Sequence, residues 1–479
     1  MSKIYSILFE YKEVIRNTGL QLGDYSPPKR AIRRFLRLFK QIDDTRMAGM
    51  ISYPLPEVIL IAFLAILANA STWAEIERFG KAKEKWLRKF LPLAGGIPSH
   101  DTFRRVFALI DPLQMEQATV FFLLENIECI KKSLHIKTSG PRLLCVDGKE
   151  EKGTGRKYGT SEEVRNLQTL HVFDASSDIC LFSRSIDKKT NEIPVAQEIL
   201  KSLQLRGCIV SFDALHTQKE TISTIAERNG DYVGALKGNQ GNLATLAEKS
   251  FTEKCREDIR AKGEFYYESS EKSHSQVEKR KFYMTKARQR FDGVLEWKNL
   301  RYFICYEKHT CNVITNEENT ETRYYITSLC DVELCAEAIR GHWSVENKLH
   351  WHLDYSFDED DNATMDANAF NNFSLLNKMA LSLFKLVQPL MNNSSIRSIK
   401  KEFSWSTEDV LCLASRNSVS QNDVLLALCH FLACTLTSNI LITNLLISDC
   451  EKSMYLLSCE YSSIENFQCF LFMTQGTNV

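Results

Sequence analysis

Apolar residues recur at helical spacing through roughly the first 135 positions, including Leu55–Ala70 and Ala74–Leu91. Period-two alternation is almost absent there, so an all-α N-terminal domain over residues 1–135 is expected. From about residue 140 the pattern changes. Apolar runs of strand length end at Asp147 and cover 168–175, 179–186, 207–213 and 231–237. Helical runs fall between and after the later ones, at 193–204, 217–229 and 240–250. Three strands followed by helix, strand, helix and strand is the order of a ribonuclease-H-like fold, an α/β class whose mixed sheet sets its first and fourth strands side by side. Between about 252 and 320 the chain turns strongly charged and then β-rich, with candidate strands at Glu264–Glu268, Lys281–Met284 and Leu300–Ile304. This reads as an insertion ahead of a strand at Tyr324–Leu329 and a helix over about 333–352. The expected α/β domain is therefore 136–405, leaving 406–479 as a C-terminal extension.

Composition narrows the class. The chain has 479 residues, 44% hydrophobic and 25% charged, with a net charge of zero, which is ordinary for a soluble globular protein of two or three domains. A zero balance argues against a simple basic nucleic-acid binder, but the charge is uneven. Lys29, Arg30, Arg33, Arg34, Arg37 and Lys40 form one basic run, and Lys81, Lys83, Lys85, Arg88 and Lys89 a second. Fifteen cysteines are scattered without a CxxC pair or zinc spacing, and no cleavable leader is evident, which fits a reduced cytosolic compartment. The apolar run Val58–Ala68 is shorter than the roughly 18 residues that a membrane span needs. A buried helix is expected there, with no membrane partner.

The candidate chemistry lies at two strand ends and on one helix. Arg142-Leu-Leu-Cys-Val-Asp147 and Cys208-Ile-Val-Ser-Phe-Asp213 each deliver a carboxylate to the carboxyl end of an apolar strand, where α/β sheets place their chemistry. Adjacent first and fourth strands would bring the two together. Glu346, in the run Arg340-Gly-His-Trp-Ser-Val-Glu-Asn347, supplies a third acid, and hard carboxylate oxygens suit Mg²⁺ or Mn²⁺. His342, His350 and His352 lie near helical spacing, yet no second group of zinc spacing accompanies them. His342 and Trp343 read instead as positions that pack beside the site or touch DNA. The acids Asp354, Asp358, Glu359, Asp360 and Asp361 lack the spacing of a calcium loop. Ser99 caps a short helix presenting His100, Arg104 and Arg105, which either enters a DNA groove or packs on the catalytic domain. Lys237 ends a strand where a cation meets a phosphate or only solvent, and Arg340 precedes Glu346 by about two turns.

Six blocks in fixed order carry a resemblance: Gly96–Phe107, Val146–Lys149, Lys189–Ile193, Asp213-Ala214 with Gln218, Asp231–Gln240, and Arg340–Asn347 running to Asp354. Over roughly residues 25–405 the chain resembles the DDE transposases of bacterial insertion sequences, in the ISAs-type branch that includes the H-repeat-associated proteins. The resemblance implies a ribonuclease-H-like core with a β-rich insertion, and two Mg²⁺ or Mn²⁺ ions held by Asp147, Asp213 and Glu346. It also implies cleavage at transposon ends, strand transfer into target DNA, and a homo-oligomer in the synaptic complex. Two other outcomes are kept: an inactive remnant that still binds DNA, and a nuclease that cuts without joining.

The chain departs from the family pattern in three places. Glu150 and Glu151 follow Lys149 where a small and basic continuation is expected, setting two extra acids beside the metal site. His342 and Leu353 stand where related proteins carry an Arg and a Lys around the third acid, so those roles do not transfer. The segment from Ser406 to Val479 is apolar and holds six of the fifteen cysteines, with Arg416 and Lys452 its only basic residues. It reads as a shifted or extended reading frame or as a helical interaction segment.

Overall fold

The computed structural model describes residues 29–133, 140–155, 166–186, 191–273, 276–288, 293–388 and 394–405. The expected extension 406–479, the Lys189-Thr190 half of one family block, and the side chains of Lys29, Arg30 and Arg34 lie outside the described residues. In chain order the helices α1 (Lys29–Phe39), α2 (Leu55–Leu67), α3 (Trp73–Ala82), α4 (Glu84–Leu87), α5 (His100–Leu109) and α6 (Pro112–Ser133) come first. Then follow β1 (Arg142–Glu151), β2 (Leu167–Asp174), β3 (Ile179–Ile186), α7 (Glu192–Ser202), β4 (Cys208–Phe212), α8 (Lys219–Glu227), β5 (Asp231–Leu236), α9 (Gly241–Lys249) and α10 (Glu253–Lys262). The strands β6 (Tyr266–Ser273), β7 (Gln276–Lys286), β8 (Tyr302–Asn312) and β9 (Glu318–Thr327) lead to α11 (Val332–His342), a π-helical turn (Val345–His350), α12 (Trp351–Phe357), α13 (Ala367–Val387) and α14 (Ile396–Trp405).

Two compact units emerge among the described residues, one of 29–133 with 353–405 and one of 140–352. The division differs from the expected 136–405 domain, because the helices after Leu353 join the N-terminal unit. In that helical unit α2 is buried on nearly every face, since its sequence Leu-Pro-Glu-Val-Ile-Leu-Ile-Ala-Phe-Leu-Ala-Ile-Leu offers no polar stripe. Its one acid, Glu57, is buried and accepts the Leu93 N–H at 3.2 Å. Its Phe63 joins Phe35 and Phe39 of α1 and Phe122 of α6 in an aromatic cluster. The α13 helix is held to α5 by Asn372, whose amide donates to the Phe107 and Ile110 carbonyls at 2.8 and 2.9 Å. Those are carbonyls at the end of α5, which a helix cannot satisfy internally. No single helix among the described residues is long and apolar enough to cross a membrane.

The second unit is built on one nine-stranded sheet of order β3-β2-β1-β4-β5-β9-β8-β7-β6. The β1/β4 and β4/β5 pairs are parallel and the rest antiparallel, so the first five strands have the expected ribonuclease-H-like arrangement. The β-rich insertion does not stand apart from it. Its last strand, β9, begins at Glu318 rather than Tyr324 and pairs with both β5 and β8, extending the same sheet by four strands. The α11 helix packs across this extension through Cys335, Ala336 and Ile339 against Ile209, Val233, Met284, Ile304 and Tyr325. Its approach to β1 needs Gly341, where a Cβ would lie 2.2 Å from the Leu143 side chain.

Candidate metal centre

Asp147 and Asp213 are placed by strand register. Val146 is the partner of Phe212 across the parallel β1/β4 pair, and each aspartate is the next residue along its chain. Asp213 is fixed by its own turn, with Oδ1 accepting the backbone N–H groups of Leu215 at 3.0 Å and His216 at 3.1 Å. Glu346 arrives from the other direction on the π-helical turn, where the Trp351 N–H bonds to the Glu346 carbonyl five residues back. The expected long helix over 333–352 is thus interrupted at the third acid. The wider turn buries Leu349 and His350 and leaves Glu346 exposed.

His350 joins the acids. Its Nδ1 lies 3.1 Å from Glu346 Oε2 and 3.9 Å from Asp147 Oδ2, and one ligand atom from each of the three residues falls within 4.8 Å of the others. The opposite ring nitrogen meets His171 Nδ1 at 2.9 Å. His171 is the register partner of Asp147 on β2 and is fully buried.

The electrostatics describe an acid cluster short of positive charge. Burial pushes the Asp147 carboxyl up to about 6, with Asp213 and Glu346 pushing the same way and His350 opposing them. The hydrogen bond from His350 holds Glu346 below the usual carboxylate range. A donor set of carboxylates and one imidazole, whose negative charges already compete for a proton, fits a divalent cation.

A fourth carboxylate lies under the first. Gly148, beside Asp147, has no side chain because the Glu192 carboxylate occupies that space: a Cβ there would sit 2.5 Å from both of its oxygens. Glu192 opens α7, which Asn191 caps by accepting the Ile193 N–H at 3.1 Å. Its Oε2 lies 3.2 Å from Nε2 of His216, a buried residue of the Asp213 turn. Of the two extra acids after Lys149, Glu151 is buried in an ion pair with the Lys149 ammonium at 3.0 Å. Glu150 is exposed and accepts from Asn166 Nδ2 at 2.8 Å. The expectation of two added charges at the site is corrected accordingly: strand alternation turns Glu150 away from the Asp147 face, and Lys149 neutralises Glu151.

The remaining candidates disperse. His342 is pushed down to about 4 by burial, and its Nδ1 lies 3.2 Å from Ser211 Oγ, behind the Asp213 strand. Arg340 pairs with Glu271 at 2.7 Å, and the exposed Trp343 ring lies 4.8 Å under the Arg323 guanidinium. Both line a groove of about 460 Å³ on the sheet extension, with Arg280, Lys308 and Asn347. Lys237 is exposed at the end of β5, in a loop that Asn239 and Gln240 tie to the Ala214 carbonyl of the Asp213 turn. In the helical unit His100 pairs with Glu77 at 2.8 Å, while Arg104 and Arg105 are exposed on α5. Glu359, from the acidic run after Asp354, is buried in that unit and accepts from Ser374. His171, Glu192 and His216 escaped the sequence reading. Only Glu192 left a signal there, as the acid of the Lys189–Ile193 block.

Residues 138–383 match the Transposase DDE domain family, and residues 36–123 match the DDE_Tnp_1-associated family. The chain belongs to the DDE transposase family. The putative transposase YncI of Escherichia coli O157:H7 is 30% identical over 394 residues, covering 80% of this chain and 96% of the relative. The H repeat-associated putative transposase YhhI of Escherichia coli K12 is 29% identical over 357 residues, 74% and 90% of the two chains. A short relative from the same strain, named inactive transposase YbfQ, is 33% identical over 63 residues, 13% of this chain and 75% of its own. Membership of a DDE transposase family implies DNA as the partner, nucleotidyl transfer as the chemistry and a divalent metal as the cofactor.

Proposed function

We propose that this DDE transposase is catalytically competent, cutting DNA at transposon ends and joining the freed 3′ ends to target DNA, with Asp147, Asp213 and Glu346 holding two Mg²⁺ or Mn²⁺ ions. The observation that carries the reading is the register: two aspartates side by side where the parallel β1/β4 pairing ends, Asp147 within β1 and Asp213 directly after β4, with Glu346 linked to the first through His350. Two divalent ions held by these carboxylates would supply activation of the attacking oxygen and stabilisation of the leaving one in an in-line displacement. The protein's part is positional. The Asp213 turn is locked by its own backbone N–H groups, and β1 anchors Asp147 on the packed sheet. We assign end recognition to His100, Arg104 and Arg105 on α5, and contacts to the DNA backbone to Lys237, Arg340 and Trp343, with His342 packing behind the Asp213 strand. Assembly as a homo-oligomer on paired ends belongs to the same proposal. Eight cysteines among the described residues are free thiols, which supports a reducing, cytosolic setting.

The test is cleavage of a duplex carrying the element's own end, with Mg²⁺ or Mn²⁺ and a chelator control. Single changes Asp147→Asn, Asp213→Asn and Glu346→Gln are expected to abolish cutting and joining while DNA binding persists, since phosphate contacts and metal chemistry are separate contributions. Cutting that survives both the chelator and Glu346→Gln overturns the mechanism. The second reading, an inactive DNA-binding remnant, is prompted by the relative named inactive. It is established if the metal-loaded wild type binds its ends and never cuts.

A further inference from the structure

We propose that His350 is a nitrogen ligand of the metal centre, oriented by His171, and that this imidazole turns the site's preference from Mg²⁺ towards Mn²⁺. The inference rests on the metal-centre reading above and adds to it the identity of a fourth ligand and the choice of ion. Three features set His350 apart from a histidine that merely pairs with a glutamate one turn away. Its Nδ1 faces two of the acids at once, at 3.1 Å from Glu346 Oε2 and 3.9 Å from Asp147 Oδ2. The residue is buried to 3% exposure although Glu346, four positions earlier, is exposed. Its second nitrogen is not left to solvent but held at 2.9 Å by the fully buried His171.

The last feature is the arrangement that ligating histidines use, in which a partner on the far nitrogen fixes both tautomer and ring angle. The proton positions balance. For Nδ1 of His350 to offer its lone pair, its proton sits on Nε2 and points to the lone pair on His171 Nδ1, with His171 carrying its own proton on Nε2. Both rings stay neutral. In the alternative arrangement each proton sits on Nδ1, so that His350 donates to Glu346 and His171 donates to His350. The two arrangements exchange without net gain or loss of a proton. Because His171 sits opposite Asp147 on the neighbouring strand, the register that places the first acid also places the histidine that aims His350.

Imidazole is a better donor to transition ions than to Mg²⁺, which keeps oxygen ligands and water. The ion preference therefore follows from the ligand set. Electron spin-echo spectroscopy of the full-length protein loaded with Mn²⁺ tests the ligand directly. Nitrogen modulation from one imidazole is expected in the wild type, changing on ¹⁵N-histidine labelling and vanishing in His350→Gln. In that variant Mn²⁺ binding is expected to weaken by about tenfold or more and Mg²⁺ binding by less. His171→Phe is expected to keep the modulation while weakening Mn²⁺ by roughly 10–100-fold.

A wild-type spectrum with bound Mn²⁺ and no nitrogen coupling overturns the proposal, and so does coupling that persists unchanged in His350→Gln. Should the variant not fold, a Mn²⁺-loaded wild type without nitrogen coupling still overturns the proposal. Mn²⁺ bound equally by wild type and Asp147→Asn would instead sink the metal-centre reading on which the proposal rests.

Discussion

Replacing Asp147 by Asn is expected to stabilise the metal-free protein while abolishing its chemistry. In the folded state burial pushes the Asp147 carboxyl up to about 6, against an ordinary value of 3.8. The folded protein therefore holds a proton that the unfolded chain has released, and stability falls as pH rises from about 4 to about 6. Above that window the penalty is complete, and at 1.36 kcal/mol per pH unit it comes to roughly 3 kcal/mol. The amide carries no such charge. It keeps the side-chain oxygen that accepts the Gly148 N–H at 3.0 Å but loses the attraction to His350, so a gain of about 1–3 kcal/mol is expected at pH 7.5 in EDTA. Urea unfolding of wild type and variant, compared in the same transition, measures the difference at pH 7.5 and again near pH 4.5, where it should shrink. Saturating Mn²⁺ should reverse the order, because a ligand at 100 times its Kd adds about 2.7 kcal/mol to the protein that binds it. A variant no more stable than wild type at pH 7.5 without metal would refute the charge-crowding argument.

The other predictions address separate parts of the molecule. Arg104→Ala with Arg105→Ala should weaken binding to specific ends and lower its salt dependence without unfolding the helical unit, since both side chains are exposed; unchanged end affinity removes α5 from the recognition surface. Lys149→Met removes the 3.0 Å ammonium partner of the buried Glu151 carboxylate and should destabilise the protein by about 1–3 kcal/mol, read by urea unfolding at pH 7.5. A loss below 1 kcal/mol would show the pair to be dispensable. Gly148→Ala should push Glu192 off its place beside β1 and break its contact with His216, destabilising by about 1 kcal/mol and lowering cleavage more than end binding. Equal cleavage in that variant would leave Glu192 without a role at the site. Truncation after Trp405 should leave metal-dependent cleavage largely intact, and failure of the shortened chain to fold would make the extension a structural element.

Much of the architecture was legible in the sequence because it is local. Period-two runs and helical runs report which residues meet the core, and the expected strands before residue 240 lie within a few positions of those observed. A carboxylate directly after an apolar run is equally local, so Asp147 and Asp213 could be picked out without a structure, although β1 continues past Asp147 to Glu151. The strands of the insertion were drawn too short, since their charged halves, such as Glu278–Lys281 in β7 and Glu318–Arg323 in β9, alternate weakly on a sheet exposed beyond the core. Packing decided that those strands extend the main sheet and that the helices after Leu353 join the N-terminal unit. His171 and His350 are 179 residues apart, and Glu192 and His216 are 24 apart. No spacing rule connects either pair. They meet because β2 lies antiparallel to β1 in one register, and because the π-helical turn buries His350 beside the exposed Glu346. Sequence periodicity determines which residues are buried; the order and register of the strands determine which buried polar groups face one another.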